Sequence, residues 1–462
     1  MNSTPPHFGI ADSARHPSVL RCIMVFAIVA LSATKLAAHD QIPGAPQSDP
    51  IALVGGTIHR VDGDVIESGV IVFEDGKITA IGKSLTLPDG CQTIQCNGKQ
   101  IYPGLFESIS NIGLVEVNSV RASVDTNEIG SDNANLRSWI AVNPDSELIP
   151  VARANGILLA SIAPDRGDLR GQVGVLAMDG WTYADMLVQG PAGMMVSGAA
   201  FDAGEDDDEE RAKQRDEKLR KLTERLEEAA RYAAARERSP RDQPIDVRLE
   251  ALLPVVNGDL PMIIDADRRR QIEAAVAFCV THGIRPIIYG GYDAESCAEL
   301  LRQYDVPVII HGTYRLPRRR DEVYDFAYTL PARLKKAGVR FAIGGEGSGY
   351  PGGASNARNL PYHAATAVAF GLSAEDAIRA ITLSPAEIHG VADRLGSLTV
   401  GKDATLIVVD GDILETPSKV ERAFIRGAAV DLGSKHETLY KKYLEKYRRA
   451  GAVDAKQGVG DR

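Results

Sequence analysis

The sequence has few cysteines and no surplus of positive charge. Five cysteines occur in 462 residues and none forms a Cys-x-x-Cys pair, which excludes a disulfide-stapled miniprotein and a structural zinc ribbon. The 52 Lys and Arg residues against 62 Asp and Glu leave a formal charge of −10. Because duplex nucleic acid and anionic membranes attract basic surfaces, neither is an expected partner of this acidic chain.

Two motifs are also absent, one that binds nucleotide phosphates and one that presents a catalytic serine. The glycine-rich stretches, Gly55-Gly56 and Gly344 to Gly349, do not complete a G-x-x-x-x-G-K-[ST] phosphate-binding loop. No G-x-S-x-G turn presents a serine nucleophile. The hydrophobic fraction of 44% is ordinary, so a sizeable core is expected.

The N-terminal residues have the pattern of a targeting segment. Arg15 and Arg21 precede an apolar run from Cys22 to Leu31, and small residues follow up to Ala38. This pattern predicts a signal peptide over residues 1–38 and export to the periplasm or the medium. The apolar run is roughly half the twenty residues that a membrane span needs, so no span is expected after cleavage. An uncleaved anchor or a cytosolic chain is the alternative.

Cleavage would change the charge and the redox environment of the chain. Residues 1–38 carry three basic side chains and one acidic side chain, so their removal takes +2 from −10 and leaves −12. In an oxidising compartment Cys91 and Cys96 could form a disulfide, and two separate thiols are the equal alternative. Residues 39–50 are expected to be a linker.

Short strands are predicted near both ends of the chain. The runs between residues 51 and 102 are interrupted at Gly55-Gly56, Asp62-Gly63, Asp75-Gly76 and Asp89-Gly90. Asp-Gly pairs between alternating apolar residues are typical of hairpins. Residues 395–432 show a similar pattern of short apolar runs separated by turn residues. We therefore expect one small β-sandwich domain built from residues 51–102 and 395–432, followed by a C-terminal tail over 433–462.

Strands and helices alternate in the middle of the chain, residues 103–394. The predicted strands are Gly156–Ile162, Gly174–Met178, Met262–Ala266, Pro286–Tyr289, Val306–Ile310 and Arg340–Ile343. The predicted helices include Arg270–His282, Ala294–Gln303 and Val323–Ala337. Such alternation favours parallel strands with helical crossovers, as an α/β barrel or a doubly wound sheet. About 290 residues suit a barrel with insertions.

A charged helical insertion is predicted over residues 202–244. It opens with the acidic run Glu205 to Glu210, which is more typical of a solvated loop than of a metal site. Farther along, an apolar stripe follows helical spacing: Leu219, Leu222, Leu226, Ala229 and Ala233. The stripe fits a surface helix laid over the barrel, with a partner-binding helix as the alternative.

Several segments occur in an order that resembles the amidohydrolase superfamily, in its imidazolonepropionase-like branch. They are Lys99 to Glu107 with its Pro-Gly-Leu step, Gly171-Gln172, Asn359 to Ala365, Gly371 to Thr382, Ser384 to Glu387 and Gly396 to Asp410. The resemblance covers Ala52 to Leu432. It implies a (β/α)₈ TIM-type barrel with a composite β domain, an α/β fold.

The resemblance also implies hydrolysis of C–N bonds by one or two divalent metals at the barrel mouth, the end where the strands terminate. The family's ligands are a His-x-His pair on the first strand, two later histidines, an Asp on the last strand and, in some members, a lysine. At the corresponding positions this chain has Ile109 and Asn111, Ala177, Asp265-Ala266-Asp267, Gly290 and Glu346. Because Ile, Ala and Gly side chains carry no ligand atom, zinc is not expected.

The side chains expected at the mouth are mostly acids and hydroxyls. Asp265, Asp267 and Glu346 are the candidate catalytic residues, and Glu107, Asn111, Gln172, Tyr289 and His311 are candidate ligand-binding residues. The oxygen atoms could bind Ca²⁺ or Mg²⁺, or two acids could form a metal-free acid/base pair. Alternatively, the acids fill a lost site and pair with Arg268–Arg270, and His311 is a bystander.

A short basic patch at Arg318-Arg319-Arg320 follows the strand that ends near His311. It could hold an anionic ligand at the mouth, with a solvated loop as the alternative.

We therefore predict an exported protein of the amidohydrolase superfamily that is catalytically silent or divergent, with no metal cofactor. It would bind an amide- or peptide-like small molecule, or form a homo- or hetero-oligomer with an intact amidohydrolase. The alternative is a hydrolase of dipeptide or non-peptide amide bonds.

Overall fold

The computed structural model describes residues 42–202, 204, 209–239, 244–346 and 352–451. The signal peptide predicted over residues 1–38 lies outside these ranges. Residues 205–208, the first part of the acidic run Glu205 to Glu210, also lie outside them. The described residues form two eight-stranded sheets surrounded by helices. The predicted α/β class, a TIM-type barrel with a β-rich domain, is confirmed.

One sheet combines strands from both ends of the chain. Its strands are β1 (Ile51–Ile58), β2 (Ile66–Glu74), β3 (Lys77–Gly82), β4 (Gln92–Gln95), β5 (Gln100–Pro103), β14 (Leu406–Val409), β15 (Val420–Ile425) and β16 (Ala428–Val430). The order is β16-β15-β14-β5-β1-β2-β3, with β4 paired to β1. The sheet curls until Phe73 of β2 packs against Phe424 of β15, with ring centroids 5.1 Å apart.

The turns of this sheet follow the sequence signals, with one exception. Asp75 and Gly76 both have positive φ, 49° and 75°, and join β2 to β3 in a tight hairpin. Gly55-Gly56 does not separate two strands as predicted. It lies within β1, where Gly55 has φ 85° and the pairing with β2 shifts register, so these glycines form a β-bulge. Cys91 and Cys96 are both free thiols.

The second sheet is the barrel. Its strands, in spatial as well as chain order, are β6 (Leu105–Ser110), β7 (Ile157–Ile162), β8 (Leu169–Ala177), β9 (Leu187–Val196), β10 (Met262–Ala266), β11 (Pro286–Gly290), β12 (Val308–Ile310) and β13 (Phe341–Ile343). Strand β5 runs directly into β6 through the Pro103-Gly104 step, so the two sheets share a rigid junction.

The barrel departs from the predicted all-parallel arrangement at β8. This strand is antiparallel to both β7 and β9, while the other neighbouring pairs are parallel. The predicted Gly174–Met178 is the second half of β8, and β9 was not predicted. Short connections join β7, β8 and β9 as a meander, because antiparallel neighbours need no helical crossover.

The helices cover the outside of the barrel. They are α1 (Leu148–Arg153), α2 (Tyr183–Met186), α3 (Glu209–Arg238), α4 (Val247–Val256), α5 (Arg269–Thr281), α6 (Ala298–Gln303), α7 (Phe326–Lys336), α8 (Gly353–Asn356), α9 (Leu360–Ala369), α10 (Ala374–Ala380), α11 (Leu383–Ile388) and α12 (Lys435–Arg449). Within the described ranges, none is both long and apolar enough to cross a bilayer. The predicted C-terminal tail contains α12, in which no residue is buried.

The interior of the barrel, its lumen, is filled with apolar side chains. Each strand, or the residue directly after it, contributes to one buried cluster: Ile109, Ala163, Val173, Met195, Ile263, Ile287, Tyr289, Ile309 and Ala342, joined by Ile388 of α11. Residues two apart along a strand face the same side, so Ile287 and Tyr289 form successive layers on β11. The lumen is therefore packed core up to the layer of Tyr289.

Strands β6 and β13 are the two edges of the barrel sheet, and the side chain of Glu107 connects them. The backbone N–H of Gly345, just after β13, donates to both carboxyl oxygens of Glu107, at 2.9 and 3.1 Å. Glu107 is 2% exposed, and burial raises its pKa to about 8 despite these bonds. The carboxyl group is thus largely neutral at pH 7 and ties the barrel seam.

We expect Glu107 to make stability depend on pH. A carboxyl whose pKa rises from 4.5 to about 8 on folding favours the folded state most below pH 4.5, and this contribution is lost as the pH rises to about 8. Glu107→Gln keeps the acceptor oxygen without the charge. The free energy of urea unfolding of the variant, relative to wild type, should therefore increase by a few kcal/mol between pH 5 and 8.

Glu128→Gln, at an exposed carboxyl, controls for the removal of one charge. Parallel wild-type and Glu107→Gln curves across this pH range would show that Glu107 is not buried as a neutral acid.

The apolar stripe of α3 packs against the chain itself. Leu222, Leu226 and Ala229 are buried at 6%, 2% and 0% exposure and belong to the main hydrophobic core, with Leu219 packed beside them. This agrees with a surface helix laid over the barrel. Side chains already buried in this way are not available to a partner.

Leu226→Ala should destabilise the protein by about 2–5 kcal/mol, because it removes buried methyl groups and leaves a cavity under α3. Leu439→Ala, at a 39% exposed leucine of α12, is the matched control and should change stability by about 0.5 kcal/mol or less. Denaturant unfolding measures both, and equal effects would contradict the observed packing of α3.

Candidate functional site

The mouth of the barrel brings together three of the predicted residues through strand register. Asp265 near the end of β10 pairs with Tyr289 on β11, and Gly290 pairs with Ile310, the residue before His311. Parallel strands end at the same side of a sheet, so these side chains and Asp267 form one group at the rim.

Both aspartates of this group are paired with arginines. Arg170 Nη2 lies 3.0 Å from Asp265 Oδ2, and Arg318 Nη2 lies 2.6 Å from Asp267 Oδ2. Asp267 also accepts a hydrogen bond from the backbone N–H of Tyr292, at 3.2 Å. Burial alone would raise the pKa of Asp267, but its interactions with His311 and with the positive charges of Arg315 and Arg318 lower it below its usual value. Asp267 is therefore held as a carboxylate.

The basic patch of residues 318–320 does not act as a unit. Arg318 bonds to Asp267 and stacks on the ring of Tyr292, with its Cζ 4.6 Å from the ring centroid. Arg319 pairs with Asp293 and Glu322, and Arg320 is exposed. One arginine of the three thus reaches the mouth.

Two of the arginines considered as partners of these acids, Arg268 and Arg269, pair elsewhere. Asp265 and Asp267 pair with Arg170 and Arg318. Arg268 lies 3.8 Å from Asp202, and Arg269 pairs with Glu273 within helix α5. The arginines that do reach the acids come from β8 and from the loop after β12.

His311 packs edge-on against Tyr289, with ring centroids 4.0 Å apart. Burial lowers the pKa of His311, although Asp267 and Asp265 oppose the shift. Its Nε2 atom is buried and has no hydrogen-bond partner among the residues described. The imidazole is therefore neutral near pH 7 and carries an unused polar atom.

The other candidate residues have contacts of their own. Gln172 donates to Ala134 O at 3.2 Å and lines a groove of about 780 Å³. Asn111 is buried directly after β6. Glu346, which follows β13, accepts a hydrogen bond from Asn356 of α8, at 2.5 Å. Glu107 is buried at the seam, and the described contacts link Asp265, Asp267, Tyr289 and His311 at the mouth.

Three of the positions compared with family ligands, Ile109, Ala177 and Gly290, carry no ligand atom in their side chains. Ile109 belongs to the apolar lumen, and a Cβ at Gly290 would lie 2.6 Å from Asp267 Oδ1. Ala177 was compared with a ligating lysine at the mouth, and this placement is wrong. Because β8 runs antiparallel, Ala177 pairs with Leu159 at the opposite end of the barrel.

The remaining buried histidines have structural partners. The Nδ1 atom of His363 accepts from the backbone N–H of Thr313 at 3.1 Å, and His389 Nε2 bonds to Ser108 O at 2.8 Å. Burial lowers the pKa of each to about 4. Over the described ranges, no three His, Cys, Asp or Glu side chains converge as a metal site.

Two arginines of the mouth were missed in the sequence. Arg170 precedes the Gly171-Gln172 pair, and the antiparallel direction of β8 brings it to the mouth. Arg315 lies three residues before Arg318, a spacing that extends the basic patch toward His311. Its Nη2 is 3.7 Å from Asp267 Oδ2.

Comparison with known proteins agrees with this fold. Residues 270–430 match the amidohydrolase family. The chain is similar to an amidohydrolase from Thermotoga maritima MSB8, with a TM-score of 0.73 and 23% identity over 82% of this chain and 99% of that chain.

The chain is also similar to a prolidase complexed with N-methylphosphonate-L-proline, with a TM-score of 0.51 and 16% identity over 83% of this chain and 99% of that chain. Its similarity to molinate hydrolase has a TM-score of 0.52 and 16% identity over 91% of this chain and 100% of that chain. Such identities concern the fold alone. No curated protein sequence matches the chain. Residues 270–430 are thus similar to the amidohydrolase family, and the chain shares the fold of the amidohydrolase from Thermotoga maritima MSB8.

Proposed function

We propose that this chain is a catalytically silent binding or partner protein built on the amidohydrolase fold. The observation that carries the proposal is the filling of the lumen, in which Ile109 takes the place of a first-strand metal ligand. A hydrolytic metal needs several nitrogen or oxygen donors around one point, and an isoleucine among apolar neighbours supplies none.

The residues at the mouth do not fit a divalent metal. Arg170 and Arg318 already occupy the carboxylates of Asp265 and Asp267, so a Ca²⁺ or Mg²⁺ ion would have to displace a guanidinium from each. His311 is a single imidazole, whereas a zinc site needs three or four ligands. We therefore derive no metal-dependent step for this protein.

A hydrolase of dipeptide or non-peptide amides that uses a metal-free acid/base pair is the second candidate. One observation favours it: burial raises the pKa of Glu107 to about 8, while positive neighbours lower that of Asp267. Carboxyl groups with separated pKa values are typical of acid/base pairs. Because Glu107 is 2% exposed and bonded to Gly345, it has little access to a substrate, and we favour the binding protein.

Metal content and turnover together test the function. Purified protein would be incubated with Zn²⁺, Mn²⁺, Ca²⁺ or Mg²⁺, dialysed, analysed by mass spectrometry for bound metal, and assayed with dipeptides, N-acyl amino acids and cyclic amides. We expect no stoichiometric metal and no turnover.

Four variants distinguish the possible outcomes of this test. Stoichiometric metal with turnover that Asp265→Ala or Glu346→Ala abolishes would overturn the proposal. Turnover without metal that Asp267→Asn reduces, while Glu346→Gln retains it, would establish the metal-free hydrolase instead.

We also propose that the protein is exported after cleavage near Ala38, on the basis of the basic flank and short apolar run before that residue. N-terminal sequencing of the full-length chain, expressed in a bacterial host and fractionated, should find a start at or near His39 in the periplasm or medium. A cytosolic protein that retains the first forty residues would contradict export.

A further inference from the structure

The guanidinium of Arg315 is only weakly matched by its surroundings. Its side chain is 25% exposed, and its contact with Asp267, 3.7 Å from Nη2 to Oδ2, is too long for a hydrogen bond. In the described part of the chain no hydrogen bond engages this guanidinium. Burial and the charge of Arg318 lower the pKa of Arg315, although Asp267 opposes this. A half-buried arginine with free donors is suited to receive an anion.

The charges nearest to Arg315 leave room for one negative charge. Three guanidinium groups face two carboxylates, since Arg170 is matched by Asp265 and Arg318 by Asp267. Another carboxylate of this loop, Glu322, is already engaged by other donors. It accepts from the hydroxyl of Tyr292, from the backbone N–H groups of residues 318 and 319, and from the side chain of Arg319. No contact between Glu322 and Arg315 is described.

The walls of the site are aromatic rather than charged. Tyr292 lies under both guanidinium groups, with the Cζ of Arg315 5.8 Å and that of Arg318 4.6 Å from its ring centroid. Tyr289 and His311 form the adjacent edge-on pair. Stacking on an aromatic face holds the planar guanidinium in one orientation. A carboxylate fits this arrangement, because both of its oxygens can accept from one guanidinium.

We propose that the barrel mouth binds the carboxylate of a small organic acid, with the exposed part of the Arg315 guanidinium donating to both carboxylate oxygens. Tyr289 and Tyr292 are 3% and 2% exposed, and Tyr292 lies beneath the guanidinium, so the organic part of the ligand faces solvent. This inference deepens the proposed function and rests on it for one point, that the ligand is held and not cleaved.

Calorimetric titration with a matched pair of probes tests the assignment. N-acetyl-L-leucine and N-acetyl-L-leucinamide differ at the carboxylate, so wild-type protein should bind the acid at least about tenfold more tightly than the amide. Arg315→Gln should weaken binding of the acid by about tenfold or more. Arg315→Lys keeps the charge but loses the paired N–H donors of the guanidinium, so its affinity for the acid should lie between those of wild type and Arg315→Gln.

Arg320→Gln is the matched control, because Arg320 is exposed on the same loop and forms no described ion pair. It should bind the acid as wild type does. Circular dichroism establishes that each variant is folded, and Arg315→Lys replaces Arg315→Gln if the latter is not.

Several results would overturn the carboxylate site. Equal affinity of wild type and folded Arg315 variants for N-acetyl-L-leucine, hexanoate and benzoate would do so, as would the absence of binding of all three acids. Tighter binding of inorganic phosphate or sulfate would assign the site to another anion.

Chromatography of the N-acetyl-L-leucine after incubation separates this inference from the proposed function. Intact acid supports both proposals. Release of leucine and acetate, together with weaker binding by Arg315→Gln, would reject the silent protein and retain the carboxylate site.

Discussion

The apolar filling of the barrel lumen is the constraint on which the rest of the structure depends. Every barrel strand, or the residue that follows it, sends an apolar side chain inward, and Tyr289 closes the uppermost layer. Burial of this surface stabilises the barrel, and dense packing excludes water from its interior. Among the side chains of this cluster, Tyr289 is the one that carries an oxygen or nitrogen atom. The charged side chains Asp265 and Asp267 lie at the rim, at and beyond the layer of Tyr289.

At that rim, charge neutralisation determines what the side chains can do. A half-buried carboxylate is costly unless it is paired and hydrogen-bonded, and Arg170 and Arg318 meet this need for Asp265 and Asp267. Paired in this way, the acids are poor metal ligands and serve to position arginines. Glu107 meets the same cost differently, as a neutral group bonded to Gly345, and so connects the two edge strands of the barrel sheet.

The elements that the sequence predicted well depend on local signals. Met262–Ala266 was predicted with its observed bounds, and Arg270–His282 differs from helix α5 by one residue at each end, because apolar periodicity reports burial on one or both faces. The direction of β8 was not predictable in this way. An apolar strand reads the same in either direction, and its neighbours in space decide which end reaches the mouth. That reversal moves Ala177 away from the site and brings Arg170 to it.

The sequence by itself determined the class of the fold, the two-part β domain and the lack of ligand atoms at Ile109 and Gly290, since residue identity decides whether a side chain can bind a metal. Only the tertiary structure decided which charges meet. Arg170 is far from Asp265 in the chain, as is Arg318 from Asp267, and the pairing of their side chains follows from strand order and register, which no local pattern encodes.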